Sequence, residues 1–307
     1  MSVTSKTPIL FSLAEHPLQA PLCQRLPAMN GQYSYRRFPD GESYLRIDTG
    51  VQDRDCIVLA DLSHPDDKYL QLLFLVATLH ELGAASVGLV APYLCYMRQD
   101  KRFTTGEAVT SRIFASQLSQ QIDWLVTVDP HLHRYHSLDE IYSIPNQVVH
   151  AEPLLIHWLL SQKTMLLVGP DAESQQWVSQ VAKTCNHPYV VGSKQRLGDR
   201  NVIVSLPDLS DFKEYTAVII DDVIASGQTV LKCIDALHLQ GIKQIFCASI
   251  HGIFVDGVDE LLIERGVTKL ITSNSIPHSS NLLDLSDILV APINHSIASV
   301  ADDNSSL

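Results

Sequence analysis

Short apolar runs alternate along the chain with segments whose apolar residues recur at helical spacing. The runs at residues 57–62, 86–92 and 124–128 are rich in Val, Leu and Ile, and continuous runs of this kind are typical of strands buried on both faces of a parallel sheet. Residues 66–82 carry their apolar side chains on a broad helical face. This alternation predicts an α/β fold with mostly parallel sheets flanked by helices.

The same alternation resumes after His150. Further strand-like runs separated by helical patterns occur at residues 165–169, 187–191, 216–220, 244–250 and 269–272. Two halves of similar order in a chain of 307 residues predict two domains of about 150 residues each. We expect the first domain at residues 1–150 and the second at residues 151–307, with a polar, frayed end at residues 301–307.

One hairpin signal and two basic loops interrupt this alternation. Pro39-Asp-Gly-Glu42 joins extended runs, and Pro-Asp-Gly between such runs predicts a hairpin turn. The long loop at residues 93–106 contains Arg98, Lys101 and Arg102, so it is a candidate clamp for a triphosphate, with an ordinary solvated charge run as the alternative. A second basic loop at residues 194–200 is equally compatible with a mobile lid and with an exposed hairpin.

Composition narrows the class of partner. The net charge is −12 and the isoelectric point near 5.4, which argues against nucleic acid as a main partner because phosphate backbones bind basic surfaces. No apolar segment approaches the ~20 residues that span a bilayer, and the start of the chain lacks the apolar core of a secretory signal. Six scattered cysteines without a Cys-x-x-Cys pair predict reduced thiols in a cytoplasmic protein.

The most informative motif follows the apolar run that begins at Ala217. That run ends in Asp221 and Asp222, and the small-residue loop Ala225-Ser-Gly-Gln-Thr229 leads into a helical pattern. Paired carboxylates suit a vicinal diol or a metal ion, and a loop that opens a helix suits a phosphate. The motif therefore predicts a site for a 5-phosphoribosyl group, with an ordinary strand end and turn as the alternative. It matches neither the P-loop nor the dinucleotide signature.

Two other strand ends carry candidate metal ligands. Asp129, His131 and His133 follow the run at residues 124–128, and they share one face if the segment stays extended. Asp171 follows another apolar run after Gly169-Pro. One or two of these side chains suit a Mg²⁺ ion shared with phosphate oxygens, whereas surface histidines and a Pro-Asp turn are the alternatives.

Taken in order, these motifs resemble the ribose-phosphate pyrophosphokinase family, also called phosphoribosyl pyrophosphate (PRPP) synthetases. The resemblance covers almost the whole chain through Phe38-Pro-Asp-Gly-Glu42, Pro92-Tyr, Arg98-Gln-Asp100, Val128-Asp-Pro-His131, Gly169-Pro-Asp171, Lys194–Arg196, Asp221–Thr229, His251-Gly and Thr272–Pro277. It implies two tandem phosphoribosyltransferase-type domains. It also implies transfer of the β,γ-diphosphoryl group of ATP to the 1-hydroxyl of ribose 5-phosphate, giving PRPP and AMP for nucleotide biosynthesis.

The resemblance also implies a role for each matching residue. ATP would be bound by Phe38, Asp40, Gly41, Glu42, Arg98 and Gln99, and Mg²⁺ by His131 and Asp171, with Asp129 as a further candidate. Lys194 and Arg196 would be catalytic. Ribose 5-phosphate would be bound by Arg196, Asp221, Asp222, Ala225, Ser226, Gly227, Gln228 and Thr229. Family members are commonly homo-oligomers, so dimers or hexamers are expected, with the Phe38–Glu42 turn completing a neighbouring subunit's ATP site.

The chain departs from the family pattern at several positions. Glu173-Ser174 replaces a Gly-Gly pair, and Ala225 and Gln228 replace an acid or Ser and a glycine in the phosphate loop. The stretches at residues 101–107 and 196–200 look more like a variant branch seen among archaea and some bacteria, so control by ADP or phosphate does not carry over. Two other functions stay open, namely a non-catalytic regulatory subunit and a PRPP-consuming phosphoribosyltransferase. Retained catalytic-loop and metal residues disfavour the former, and the ATP-side motifs disfavour the latter.

Overall fold

The computed structural model of the protein describes residues 6–196 and 202–305, and it describes only the backbone of residues 194–196, 202–203 and 302–305. The chain divides into two compact units. The first unit consists of Met1–His150, Ser275–Pro277 and Leu285–Leu307, and the second of Ala151–Asn274 and His278–Asp284.

The first unit is built on a sheet of six parallel strands in the order β2-β1-β5-β6-β7-β8. Its elements up to His150 are β1 (Ile9–Ser12), α1 (Gln19–Arg25), β2 (Met29–Asn30), β3 (Tyr33–Arg37), β4 (Ser43–Ile47), β5 (Asp55–Leu59), α2 (Pro65–Glu81), β6 (Ser86–Ala91), α3 (Thr110–Ser119), β7 (Trp124–Val128) and β8 (Asn146–Val149). Strands β3 and β4 form the separate antiparallel hairpin that Pro-Asp-Gly predicts. Every residue of β6 and β7 is buried, as expected for central parallel strands.

The second unit repeats this plan with a six-stranded parallel sheet in the order β10-β9-β13-β14-β15-β16. Its elements are α4 (Glu152–Leu160), β9 (Leu166–Gly169), α5 (Gln175–Cys185), β10 (Tyr189–Val191), β11 (Ser193–Arg196), β12 (Val202–Ser205), β13 (Thr216–Ile224), α6 (Gln228–Leu239), β14 (Gln244–Gly252), α7 (Val258–Glu264), β15 (Val267–Ser273) and β16 (Asn281–Leu283). Strands β11 and β12 form an antiparallel pair outside the large sheet.

Successive side chains of β13 point to opposite faces of the sheet, and both faces contribute to the core of the second unit. Ile219 packs in a cluster with Ile234 of α6, whereas Ile220 packs on the other face with Leu155 of α4 and Val178 of α5. Both faces of the strand are therefore covered by helices. The predicted α/β fold with parallel sheets flanked by helices is confirmed.

Helix α8 (Ser286–Ser305) packs against β6, β7 and β8 of the first unit. Leu289 and Ile293 are fully buried there, and Arg25 of α1 forms an ion pair with Asp287 at 2.5 Å. The expected second domain at residues 151–307 is therefore too long at its carboxyl end, because Leu285–Leu307 belongs to the first unit. The expectation of a frayed polar end is also wrong up to Ser305, where the helix ends.

Local patterns do not predict the helices α1, α4 and α8 or the short strands β1, β2, β8 and β16. Strands β1 and β8 have only four residues each, which is too short for a periodic signal. Helix α4 is apolar around most of its circumference, so it lacks the polar face by which a helix is recognised. Among the described residues, no helix is long and apolar enough to cross a membrane.

Gly88 of β6 faces the indole of Trp124 in β7, and a Cβ atom added to Gly88 would overlap that ring. Because Trp124 is fully buried, it has no free space into which to move. We expect Gly88→Ala to lower the free energy of unfolding by about 1–3 kcal/mol. The measurement is urea-induced unfolding. Gly50→Ala is the matched control, since a Cβ there meets nothing within 4 Å, and equal midpoints for the two variants would contradict the prediction.

Candidate active site

The two histidines predicted after β7 lie side by side. The rings of His131 and His133 are perpendicular with centroids 4.1 Å apart, and their Nε2 atoms are separated by 2.7 Å. One nitrogen therefore donates a hydrogen bond to the other. The two rings therefore lie on one side of the segment that follows β7, as the i, i+2 spacing predicts for an extended chain.

Asp129 opens this segment with an unusual backbone conformation. Its φ of 34° lies in the left-handed region, which non-glycine residues seldom adopt outside turns and functional sites. Its Oδ1 accepts a hydrogen bond of 2.8 Å from Nδ1 of His150, which follows β8. No local pattern in the sequence points to His150, because β8 carries no periodic signal. Asp129 thus joins the ends of two neighbouring strands.

The predicted triphosphate loop is bonded to helix α3 through Gln99. Its carbonyl oxygen accepts from the backbone N–H of Ser111 at 3.3 Å, and its side-chain Oε1 accepts from the hydroxyl of Thr110 at 3.3 Å. Gln99 is half-buried. These contacts fix the backbone beside Arg98, whose side chain is exposed.

Asp100 connects the same loop to the segment that follows His133. Its side chain is fully buried, and Oδ1 accepts a hydrogen bond of 2.5 Å from Nη1 of Arg134. The Tyr135 hydroxyl donates to the Asp100 carbonyl oxygen at 3.2 Å. Arg134 and Tyr135 are absent from the sequence prediction, since nothing local pairs an arginine with an acid 34 positions away. The predicted triphosphate loop and the predicted metal segment are therefore held as one structure within the first unit.

Tyr96 marks the point where the chain turns into this loop. Its φ is 61°, and its hydroxyl donates a hydrogen bond to Asp66 at the start of α2. That hydrogen bond, together with burial, raises the pKa of Tyr96 to about 12. The hydroxyl accordingly stays protonated and holds the turn two residues before Arg98.

The hairpin between β3 and β4 carries an exposed aromatic and cationic cluster. Gly41 has a φ of 94°, and its N–H donates to the Phe38 carbonyl at 2.9 Å. The Arg36 guanidinium lies 4.4 Å from the centre of the Phe38 ring and 4.6 Å from that of Tyr44. Flat, exposed groups of this kind suit stacking with a planar base. Phe38, Asp40, Gly41 and Glu42 are predicted residues, whereas Arg36 and Tyr44 are additional.

In the second unit, Asp221 and Asp222 lie inside strand β13 rather than at its end. The strand continues to Ile224 because β14 continues beside it, with Asp221 opposite Ser249 and Ile224 opposite Gly252. The predicted strand end at Ile220 is therefore four residues early. Both carboxylates are half-buried.

The carboxylates of this unit form a concentration of negative charge. Burial is the largest cause that raises the pKa of Asp221 well above its usual value, and the neighbouring charges of Asp222 and Asp171 raise it further. Asp171 follows β9, where its Oδ1 accepts from the backbone N–H of Glu173 at 3.1 Å. Carboxylate oxygens gathered in this way fit a hard divalent cation such as Mg²⁺. Within the described part of the chain, no group of three or more His, Cys, Asp or Glu side chains is arranged to hold a metal ion.

The loop from Ala225 to Thr229 leads into the first turn of α6. Gly227 is the N-cap with a φ of 63°, so the helix begins at Gln228, within the loop that is predicted to precede it. Ser226 and Gln228 are exposed, and Ala225 and Thr229 are half-buried. The free N–H groups of this first turn favour an anion such as a phosphate.

The predicted catalytic residues lie on β11. Lys194 is opposite Val204 and Arg196 is opposite Val202 of β12, so the described backbone of these two strands is paired antiparallel. The side chains of Lys194 and Arg196 are not part of what the structure describes. Arg200 lies outside the described residues, backbone included.

Known proteins with this combination of units identify the class. A family model described as the N-terminal domain of ribose phosphate pyrophosphokinase matches residues 8–121, and a phosphoribosyl transferase domain matches residues 137–279. The crystal structure of phosphoribosylpyrophosphate synthetase from Mycobacterium smegmatis has the same fold, with a TM-score of 0.82 and 23% identity over 96% of this chain and 100% of that one. The protein is thus an α/β protein of two tandem phosphoribosyltransferase-type domains.

Sequence relatives narrow this class. The ribose-phosphate pyrophosphokinase of Saccharolobus solfataricus is 32% identical over 272 residues, covering 85% of this chain and 88% of the relative. That of Methanobrevibacter smithii is 31% identical over 264 residues, covering 81% and 87%. The chain belongs to the ribose-phosphate pyrophosphokinase family.

Because the carboxylate of Asp100 is buried, the contribution of its contact with Arg134 to the stability of the first unit can be tested. Removal of the guanidinium leaves a buried charge without this partner, so we expect Arg134→Ala to lower the free energy of unfolding by about 1–3 kcal/mol. Arg265→Ala is the matched control, because the Arg265–Asp235 pair is 3.4 Å long and half-exposed on both sides, and such pairs contribute about 0–1 kcal/mol. Chemical denaturation measures both variants, and an equal loss would refute the role of Arg134.

Proposed function

We propose that the protein is a ribose-phosphate diphosphokinase, which transfers the β,γ-diphosphoryl group of ATP to the 1-hydroxyl of D-ribose 5-phosphate and gives PRPP and AMP. The observation that carries this proposal is the family match over both halves of the chain. The first-half match is to a domain described for ribose phosphate pyrophosphokinases. It favours synthesis of PRPP over its consumption.

Ribose 5-phosphate is proposed to bind the second unit. Asp221 and Asp222 would accept hydrogen bonds from the ribose hydroxyls. The Ala225–Thr229 loop would receive the 5-phosphate through backbone N–H groups, the hydroxyls of Ser226 and Thr229, and the amino end of α6. The departures at Ala225 and Gln228 leave this backbone arrangement intact, since neither changes a main-chain donor.

ATP is proposed to bind residues of the first unit. The adenine would stack on Phe38 with polar contacts from the turn Asp40-Gly41-Glu42, and Arg98 and Gln99 would hold the triphosphate. The cluster of exposed Arg36 and Phe38 with half-buried Tyr44 supports a planar ligand. As in the family resemblance, this hairpin would complete the ATP site of a neighbouring subunit in a dimer or hexamer.

Mg²⁺ is the proposed cofactor, with His131 and Asp129 as candidate ligands in the first unit and Asp171 as a candidate ligand in the second. When bound, it neutralises charge on the triphosphate. The acidic surroundings of Asp171 support this assignment.

The described cysteines include all six thiols of the chain, and all are free, which supports a cytoplasmic location for the enzyme.

The proposed chemistry requires alignment and charge neutralisation rather than a protein nucleophile. The 1-hydroxyl oxygen of the sugar forms a bond to the β-phosphorus, the bond from that phosphorus to the α,β-bridging oxygen breaks, and AMP leaves with the oxygen. The hydroxyl proton passes to solvent. Lys194 and Arg196 are proposed to neutralise the charge that develops on the transferring group and on AMP.

The products distinguish this proposal from other functions. We expect purified protein with ATP, Mg²⁺ and ribose 5-phosphate to form AMP and PRPP in equal amounts, because one diphosphoryl group moves per turnover. Chromatographic separation of nucleotides with ³¹P NMR measures both products. Formation of ADP would contradict the reaction type, and absence of turnover with intact folding would favour the regulatory subunit.

Lys194 is proposed to act mainly in the transition state. We therefore expect Lys194→Ala to lower kcat about 100- to 1,000-fold, as removal of one charge-stabilising donor does elsewhere, with little change in the KM for ribose 5-phosphate. Steady-state kinetics measure both constants. Lys243→Ala, at an exposed position before β14, is the control and should match the wild type. A raised KM with an unchanged kcat would exclude the proposed role.

A further inference from the structure

A short segment of the second unit lies directly behind the proposed phosphate loop. We call residues 253–258, which run from the end of β14 to the first residue of α7, the support segment. The N–H groups of Ile253 and Phe254 donate to the carbonyl oxygen of Ile224 at 2.9 and 3.1 Å, and the N–H of Val255 donates to that of Ala225 at 3.1 Å. Three backbone hydrogen bonds therefore fix the point where the loop leaves β13.

The far end of the support segment contacts the middle of the loop. A Cβ atom built on Gly227 would lie 2.6 Å from Cγ1 of Val258, so the Val258 side chain packs against the glycine backbone. Because Gly227 is also the N-cap of α6, this contact sets the position of the first turn of that helix. The loop is held at its start by hydrogen bonds and at its centre by packing.

The support segment adopts a backbone conformation that it would not keep alone. Phe254 and Asp256 have φ values of 48° and 57°, and Gly257 follows with 75°. Left-handed conformations at non-glycine residues are unfavourable and persist only where surrounding contacts enforce them. Such contacts should therefore be present at the ends of the segment.

His278 makes contacts near both ends. Its ring centre lies 4.7 Å from that of Phe254, and its Nε2 donates to Oδ2 of Asp259, the residue after Val258, at 3.1 Å. On the other side of the ring, Nδ1 accepts from the backbone N–H and the hydroxyl of Ser280 at 3.1 and 2.7 Å. One neutral tautomer satisfies every one of these hydrogen bonds.

The contacts of His278 extend to the central sheet. The hydroxyl of Ser280 is 2.8 Å from that of Thr272 in β15, and Thr272 is buried and also accepts from the amide of Asn281 at 2.9 Å. The imidazole is therefore fixed from the sheet side while it holds Phe254 and Asp259. It lies in a chain of contacts from β15 to the loop.

We propose that His278 is a positioning residue for ribose 5-phosphate: through Phe254 and Asp259 it holds the support segment, which holds the Ala225–Thr229 loop in its phosphate-binding conformation. This inference rests on the proposed function and deepens it. It predicts that loss of His278 weakens binding of the sugar phosphate, because the binding conformation is then less populated, and leaves the ATP side unchanged.

The test compares Michaelis constants. We expect His278→Ala to raise the KM for ribose 5-phosphate about tenfold, as a tenfold lower population of the binding conformation requires, with the KM for ATP and kcat within about twofold. His187→Ala is the matched control, since His187 bonds to the backbone of Leu159 and Met165 in the same unit. It should lower the thermal midpoint without raising this KM.

Two substitutions of Asp259 distinguish a positioning role of His278 from general destabilisation of the fold. Asp259→Asn keeps an oxygen that accepts from Nε2 and should retain a near-normal KM for ribose 5-phosphate. Asp259→Ala should reproduce the His278→Ala increase, and this pair also serves if His278→Ala does not fold. Equal increases in both Michaelis constants, or equal constants for Asp259→Ala and Asp259→Asn, overturn the proposal.

Direct binding distinguishes failure of this inference from failure of the proposed function. Isothermal titration calorimetry with ribose 5-phosphate gives Kd values without turnover. If the wild type binds the sugar phosphate but makes no PRPP, only the proposed reaction fails, and a weaker Kd for His278→Ala still supports the positioning role. An unchanged Kd for His278→Ala overturns it.

Discussion

The parallel pairing of β13 with β14 is the constraint on which the second unit depends. It runs from Thr216 opposite Gln244 to Ile224 opposite Gly252, so the strand stays regular past its two acids. Its apolar half has helices on both faces, and its polar half carries Asp221 and Asp222 out of the core. The loop to α6 begins only where this pairing ends. The place of the proposed sugar-phosphate site is therefore set by backbone hydrogen bonds before any side chain contributes.

The same arrangement has an electrostatic cost. The fold keeps Asp222 and Asp171 close to Asp221, and their charges raise the pKa of Asp221 further although burial already disfavours its charged form. Buried Cys233 of α6 is affected as well: burial first, and then the charges of Asp221 and Asp171, raise the pKa of its thiol to about 12. A site that tolerates this much negative charge in its resting state is suited to a substrate that arrives with cations.

The sequence predicts the repeated architecture well and its long-range contacts poorly. Strand β7 is predicted to the residue, because a continuous Val/Leu/Thr run between polar residues is a local signal. The extension of β13 to Ile224 is missed, since it depends on a partner strand about 30 residues later. The Asp100–Arg134 and Asp259–His278 contacts are missed for the same reason. Strain at Asp129 and Phe254 cannot be predicted either, because it exists only when the rest of the fold enforces it.

Helix α8 gives the fold a particular order of completion during synthesis. It covers β6, β7 and β8 of the first unit, yet the ribosome makes it only after Ala151–Asn274 and His278–Asp284 of the second unit. At typical elongation rates that delay is about 7–30 s. During this interval one face of a finished parallel sheet lacks its helix, including the sites that Leu289 and Ile293 later fill. Completion of the first unit thus depends on residues that are made after the second unit.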